Sequence, residues 1–201
     1  MTASLRFLVP VAVVTLSVVL IAVIVIWAVR ATFHPLVGLN VASSAARNQP
    51  ASPSHCNERD GLPDSACTPG AVSADITQSN IGATICRTGY TSRGVRSDGR
   101  PVRPPVSFTE PLKMSGIAAY GYPDKNSAHY EEDHLIPLEL GGDGWSQSNL
   151  WPEPRYGQHN SGDKDKVENA LNRLVCTGRV SLASAQQAIA RNWETALASA
   201  R

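Results

Sequence analysis

The chain has almost no surplus charge of either sign. Lysine and arginine together number 18 and aspartate and glutamate 17, a balance that does not suit a protein whose main business is coating nucleic acid by charge alone. A local basic cleft remains compatible with it. Cysteine is scarce too: Cys56, Cys67, Cys86 and Cys176 are the whole set, and none forms a CxxC pair. That spacing excludes a zinc knuckle and a thioredoxin-type motif. There is no HExxH, so a zinc peptidase lacks its helix signature. There is no internal repeat, and no acidic residue precedes Glu58. The stretch without acids is where the apolar residues gather.

From Phe7 to Val29 run 23 uncharged residues, bracketed by Arg6 and Arg30. As a helix rising about 1.5 Å per residue, this run spans the roughly 30 Å hydrocarbon core of a bilayer. A cleaved signal peptide is the rival reading, but its apolar region is normally about 7–15 residues with a small-x-small site close behind. Here the nearest such site, Ser44-Ala45-Ala46, lies well past the run. Residues 1–30 are therefore expected to be a transmembrane anchor, with arginines on both sides giving only a slight positive-inside bias. Residues 31–70, rich in Ala, Ser and Pro, read as a linker, and 71–201 as the folded domain. Behind an export signal, four cysteines read as two disulfides in an oxidising compartment. Of three pairings, the expected one joins Cys56 to Cys67 across a short Pro/Gly loop and Cys86 to Cys176 between distant helices. Four reduced thiols in a cytoplasmic protein is the alternative.

Periodicity outlines a small α+β domain. A short helix is predicted over 76–86 with Thr77 as a cap, then a Gly/Pro/Arg loop over 87–105. A helix follows over 107–121, where Ser107 and Glu110 have capping-box spacing and Pro111 suits an early position. Residues 129–136 read as a strand, Gly141-Gly142 as a turn, and a second short strand comes after it. Residues 163–178 form the clearest helix, with Val167, Leu171, Leu174 and Val175 on one face and Gly178 as its stop. A last helix over 181–200 sets Leu182, Ala185, Ile189, Trp193 and Leu197 along one stripe.

The stretch "YEEDHLIPLELGGDGWSQSNLWPEP", Tyr130 to Pro154, carries the chemistry. A histidine acting as general base needs a pKa near the working pH, an orienting hydrogen bond and access to water. A neighbouring carboxylate can hold a divalent cation through oxygen. Adjacent strand side chains point to opposite faces, so Asp133 and His134 serve one site only where the strand ends or bulges. Pro137 and Gly141-Gly142 supply such an irregularity. Asn149 and His159 follow in the order and spacing of an H-N-H site.

This pattern resembles the motif of HNH-type nucleases with the ββα-metal fold. Residues 67–195 resemble an exported bacterial group of HNH-like proteins through "CTPGA", "TIC", "RPP", "YEEDHLIPLELGG", "NLWPEP", "KDKVENAL" and "VCTGRVSLASAQQAIARNW". The resemblance implies a metal-dependent endonuclease outside the cytoplasm. His134 would activate water, and Asn149 would orient the His134 ring by accepting from its other nitrogen. Asp133 would bind the metal, Mg²⁺ first, with Zn²⁺, Mn²⁺ or Ni²⁺ compatible. His159 would be the second ligand, with Asp165 as its alternative and Glu168 behind it. Nucleic acid, DNA ahead of RNA, would be the partner, with room for a protective partner of unspecified kind. Arg103, Arg155 and Lys164 would contact substrate. Apart from the resemblance, Arg87, Arg93, Arg96, Arg100 and Arg103, with Arg155 beyond the site, read either as a phosphate-gripping arm with Tyr90 stacking on a base or as a solvated loop.

Plainer readings stand beside these. The acidic triplet suits a solvated strand edge, His134 a bond to a backbone carbonyl, and Asn149 a turn. The competing function is an inactive, disulfide-stapled envelope or surface binding module on the same scaffold.

Overall fold

A computed structural model describes residues 55–200. The expected anchor, and the linker as far as residue 54, lie outside the described residues. Among the described residues no helix is long and apolar enough to cross a membrane.

The centre is a hairpin. Strand β1 (Tyr130–His134) pairs antiparallel with β2 (Leu150–Pro154), with Asp133 opposite Trp151 and His134 opposite Leu150. Single 3-10 turns at Leu138–Leu140 and Gln147–Asn149 shape the connection. The helices are α1 (Tyr90–Arg93), α2 (Val106–Ala119), α3 (Ser161–Cys176), α4 (Leu182–Arg191) and α5 (Ala196–Ser199). The described residues are thus mixed α+β, as expected.

Helix α2 packs on both strands, and one apolar cluster gathers beside it from Ile117, Tyr120, Tyr122, Tyr130, Trp151 and Cys56. A second cluster joins Leu138 and Leu140 to Leu171 and Val175 of α3 and Leu182 and Ile189 of α4. Burying each large side chain of this kind contributes about 1.5–3 kcal/mol. Trp151 and Trp193 are core residues, Trp193 as its place on an apolar helical stripe suggested.

The buried stripe of α3 changes character along its length. It runs Ser161, Lys164, Glu168, Leu171, Val175, at the three- and four-residue spacing of one helical face. The second half is ordinary core. The first half carries a base and an acid, and it lies against the hairpin.

Both expected disulfides form, Cys56–Cys67 and Cys86–Cys176. Other boundaries differ. The linker does not extend to residue 70, because residues 55–70 pack into the domain. Cys56 N–H donates to Ala119 O at 2.9 Å, Gly70 N–H to Ser148 O at 2.9 Å, and Trp193 Nε1 to Gly61 O at 2.7 Å. The helix expected over 76–86 shrinks to one 3-10 turn, Ile81–Ala83. Asn80 there accepts from Thr77 N–H and donates to Asp75 O, turning the chain instead of continuing a helix.

Helix α2 begins after Pro105 without a side-chain cap. Glu110 pairs with Lys113 at 2.8 Å and so does not close a capping box with Ser107. The single C-terminal helix is broken at Asn192, whose side chain accepts from Glu194 N–H and Thr195 N–H and starts a new turn. That break rotates the register, so Ala196 and Ala200 are buried and Leu197 faces solvent.

Candidate functional site

The loop from Leu135 to Asn149 fixes everything near His134. Gly141 has φ +75°, which a side chain rarely adopts, and a Cβ on Gly142 would lie 1.8 Å from Ile136 O. The two glycines are what allow the chain to double back here. Asn149, fully buried, holds the folded loop. Its Oδ1 accepts from Ile136 N–H at 2.9 Å and from Ala71 N–H at 3.3 Å. Its Nδ2 donates to Ile136 O at 2.9 Å and Asp143 O at 3.2 Å. The expected bond from Asn149 to the imidazole is therefore absent, since the amide spends its capacity on backbone groups. Instead His134 Nε2 donates to Gly144 O at 3.3 Å. Asn149 positions the ring indirectly, through the loop that carries that carbonyl.

Donation from Nε2 leaves Nδ1 as the unprotonated nitrogen of the neutral ring. Burial lowers the His134 pKa below its ordinary value, and the neighbouring Asp133 charge does not reverse this. The imidazole is thus neutral near pH 7. It lines a cavity of about 260 Å³ with Arg103, Lys113, Glu131, Glu132 and Arg155. Arg155 pairs with Glu131 at 2.9 Å, and Lys113 with Glu110. Burial, followed by repulsion from Asp133, pushes the Glu132 carboxyl up to about 8, so it is mainly protonated at neutral pH. The cleft wall therefore presents more positive than negative charge. Arg103 is exposed at its mouth.

Asp133 faces elsewhere. The ladder is regular through His134, so the two side chains alternate across the sheet. The irregularity expected at this strand end starts only beyond His134. Asp133 Oδ2 accepts from Lys164 Nζ at 2.5 Å, and the same ammonium donates to His134 O at 2.9 Å and to Glu168 Oε1. Burial disfavours the charge on Lys164, but Asp133, Glu168 and Glu153 outweigh it and hold the ammonium above the usual lysine range. Burial likewise opposes ionisation of Asp133, and Lys164 prevails, keeping its carboxyl below the usual range. Glu153, fully buried beside them, is protonated and donates to the Asp133 carboxylate. Burial and then the Asp133 charge push it up to about 10. Glu168 is raised by burial to about 8.

These placements bear on which residues could hold the expected divalent cation. His159 lies against Glu194 and adopts a left-handed backbone, φ 57°. It is engaged with the C-terminal segment. Glu168 and Asp133 share the Lys164 ammonium, and Asp165 is exposed on α3. Among the described residues no three His, Cys, Asp or Glu side chains are grouped to hold a metal ion. Asp133 and Glu168 are spoken for by a protein cation, while His159 and Asp165 lie apart from them, so the set does not fit the metal.

Lys164 is equally unsuited to the substrate contact expected of it, being 1% exposed. Tyr90 is buried and cannot stack on a base, while Arg96 is tied to Asp98 and Asp143 and Arg100 to Asp98. Arg103 and Arg155 do reach the cleft.

Sequence reasoning missed Lys113, Glu132, Glu153 and the Gly144 carbonyl. For Glu132 the signal was present, two residues before His134 and hence on the same strand face. For Glu153 the signal was a second glutamate, Glu131, directly across the hairpin, an arrangement of like charges that ionised groups avoid. No family model, no curated protein and no solved structure matches this chain.

Proposed function

We propose that the chain is an HNH-like endonuclease that hydrolyses phosphodiester bonds of nucleic acid, with His134 as general base. The observation that carries this reading is a neutral, carbonyl-oriented imidazole in a cleft with Arg103, Lys113 and Arg155. It stands at the end of a hairpin followed by a helix whose Lys164 reaches back to the strand. The order hairpin then helix is that of the ββα family the sequence resembles.

In the reaction, His134 Nδ1 takes a proton from water as the water oxygen forms a bond to phosphorus. The bond from phosphorus to the leaving sugar oxygen breaks, and that oxygen takes a proton from solvent. The imidazolium then returns its proton to solvent. The products are a phosphate monoester and a hydroxyl end. Arg103 and Arg155 offer planar donors to the non-bridging oxygens, and charge stabilisation of this kind supplies much of phosphoryl-transfer catalysis. Among the described residues that line the cleft there is no row of exposed aromatic side chains, and the reading is cleavage with little base preference.

The two disulfides favour an oxidising, extracytoplasmic site of action, reached by the Phe7–Val29 run as a membrane anchor. The test is nicking of supercoiled plasmid, and cleavage of an RNA of matched length, by the full chain. Removing a general base costs about 10²–10⁴-fold, so His134→Ala is expected to lose that much. Cleavage that is absent, or equal in wild type and His134→Ala, removes the proposal and leaves the binding module.

A further inference from the structure

We propose that Lys164 is the resident cation of this site and stands in for a divalent metal ion, so that the chain neither binds nor needs one there. The inference rests on the nuclease reading for its catalytic half, and on geometry alone for its cation half.

Two observations carry it. First, the Lys164 ammonium lies where the motif's carboxylates converge. It is 2.5 Å from Asp133 Oδ2, it bonds Glu168 Oε1, and it is 2.9 Å from His134 O. A divalent cation ligated by Asp133 would meet that ammonium, and like charges so close repel strongly in a buried setting. Secondly, Glu153 sits fully buried against Asp133, a third acidic side chain next to a cation that is already shared by two carboxyls. Asp133 and Glu168 thus converge on one cation, and a lysine from α3 supplies it.

Lys164 is a positioning residue. It does not reach substrate, because it is buried behind β1. It anchors the His134 carbonyl and compensates the Asp133 charge, which keeps the end of β1 fixed while the imidazole works on the opposite face. The positive charge that meets the phosphate comes instead from Arg103, Arg155 and Lys113.

The test has a binding arm and an activity arm, both on the full chain with its disulfides formed. In calorimetry with Mn²⁺ or Mg²⁺ alone, wild type is expected to show no stoichiometric uptake, whereas Lys164→Ala is expected to take up one Mn²⁺ per chain. That uptake should vanish in Lys164→Ala combined with Asp133→Asn. A lysine serving only to pack the helix would leave no cation site behind. In the activity arm, wild-type nicking is expected to survive EDTA. Lys164→Ala should lose activity at least tenfold and recover part of it with Mn²⁺.

One-to-one wild-type binding that Asp133→Asn or Asp165→Asn abolishes overturns the proposal, as does nicking that EDTA stops. A folded Lys164→Ala chain, checked by circular dichroism, that takes up no Mn²⁺ also overturns it. Should that variant fail to fold, wild-type calorimetry decides alone. Should no variant cut nucleic acid under any condition, the nuclease reading falls, and the calorimetry still decides the identity of the cation.

Discussion

Replacing Asn149 with alanine should be among the most damaging single changes to the domain, far beyond the loss of one polar contact. The side chain makes four hydrogen bonds to backbone groups on two separate segments, and the two to Ile136 are both 2.9 Å and buried. Alanine leaves the Ile136 N–H and C=O without partners, and each buried orphan costs about 1–3 kcal/mol. The bonds to Ala71 and Asp143 are partly buried, so water replaces them at less cost. The sum is about 3–5 kcal/mol, against a total stability that is typically about 5–15 kcal/mol.

Urea unfolding of Asn149→Ala, followed by tryptophan fluorescence with the disulfides intact, should show a lowered midpoint at unchanged slope. Asn149→Asp should do no better. It retains an acceptor for Ile136 N–H but sets a carboxylate against the Ile136 and Asp143 carbonyls. A loss under about 1 kcal/mol in Asn149→Ala would refute the reasoning, because the loop would then hold itself without the amide.

The two disulfides should differ in worth. Closing a loop of 90 residues restricts the unfolded chain by about 4.6 kcal/mol and one of 11 by about 2.8 kcal/mol. Cys86→Ala with Cys176→Ala should therefore lower the urea midpoint more than Cys56→Ala with Cys67→Ala, and the reverse order would contradict the loop-length argument. Glu132 makes stability depend on pH. Its folded carboxyl titrates at about 8 and an ordinary one at 4.5, so the folded state binds more protons between these values and loses stability as pH rises through them. Glu132→Gln should accordingly gain on wild type between pH 5 and pH 8.5 in unfolding titrations. Parallel curves would show that the carboxyl is not raised.

Much of the domain was legible before any coordinates. The hairpin, the long helix after it and both cysteine pairings follow from alternation, three- and four-residue apolar spacing and loop composition. What failed did so for local reasons. Asn192 reads as a neutral residue in a helical stripe, yet its side chain caps the next turn and ends the helix. Asn149 was placed correctly on the hairpin but given the wrong acceptor and donor, because backbone partners leave no trace in a residue pattern. His159 met the motif's spacing but not its geometry, since a Gly/Ser-rich loop lets the chain carry it to Glu194. Lys164 is the instructive case. Helical periodicity sets it on the face of Val167 and Leu171, yet a lysine there reads as a contact for substrate. Only the acidic residues brought by the hairpin explain why a lysine is wanted inside.

The bond from Trp193 to the Gly61 carbonyl, together with the Cys86–Cys176 bridge and the contact of Gln78 with Leu182 N–H, stitches the beginning of the domain to its end. A nascent chain that stops short of residue 176 leaves Cys86 as a lone thiol and the apolar sides of Leu138 and Leu140 uncovered. Assembly must therefore wait until Cys176 and the helix after it are present, and it depends on contacts far apart along the chain, which slow folding. Such a polypeptide acquires its working shape in one late step, when its two distant ends meet.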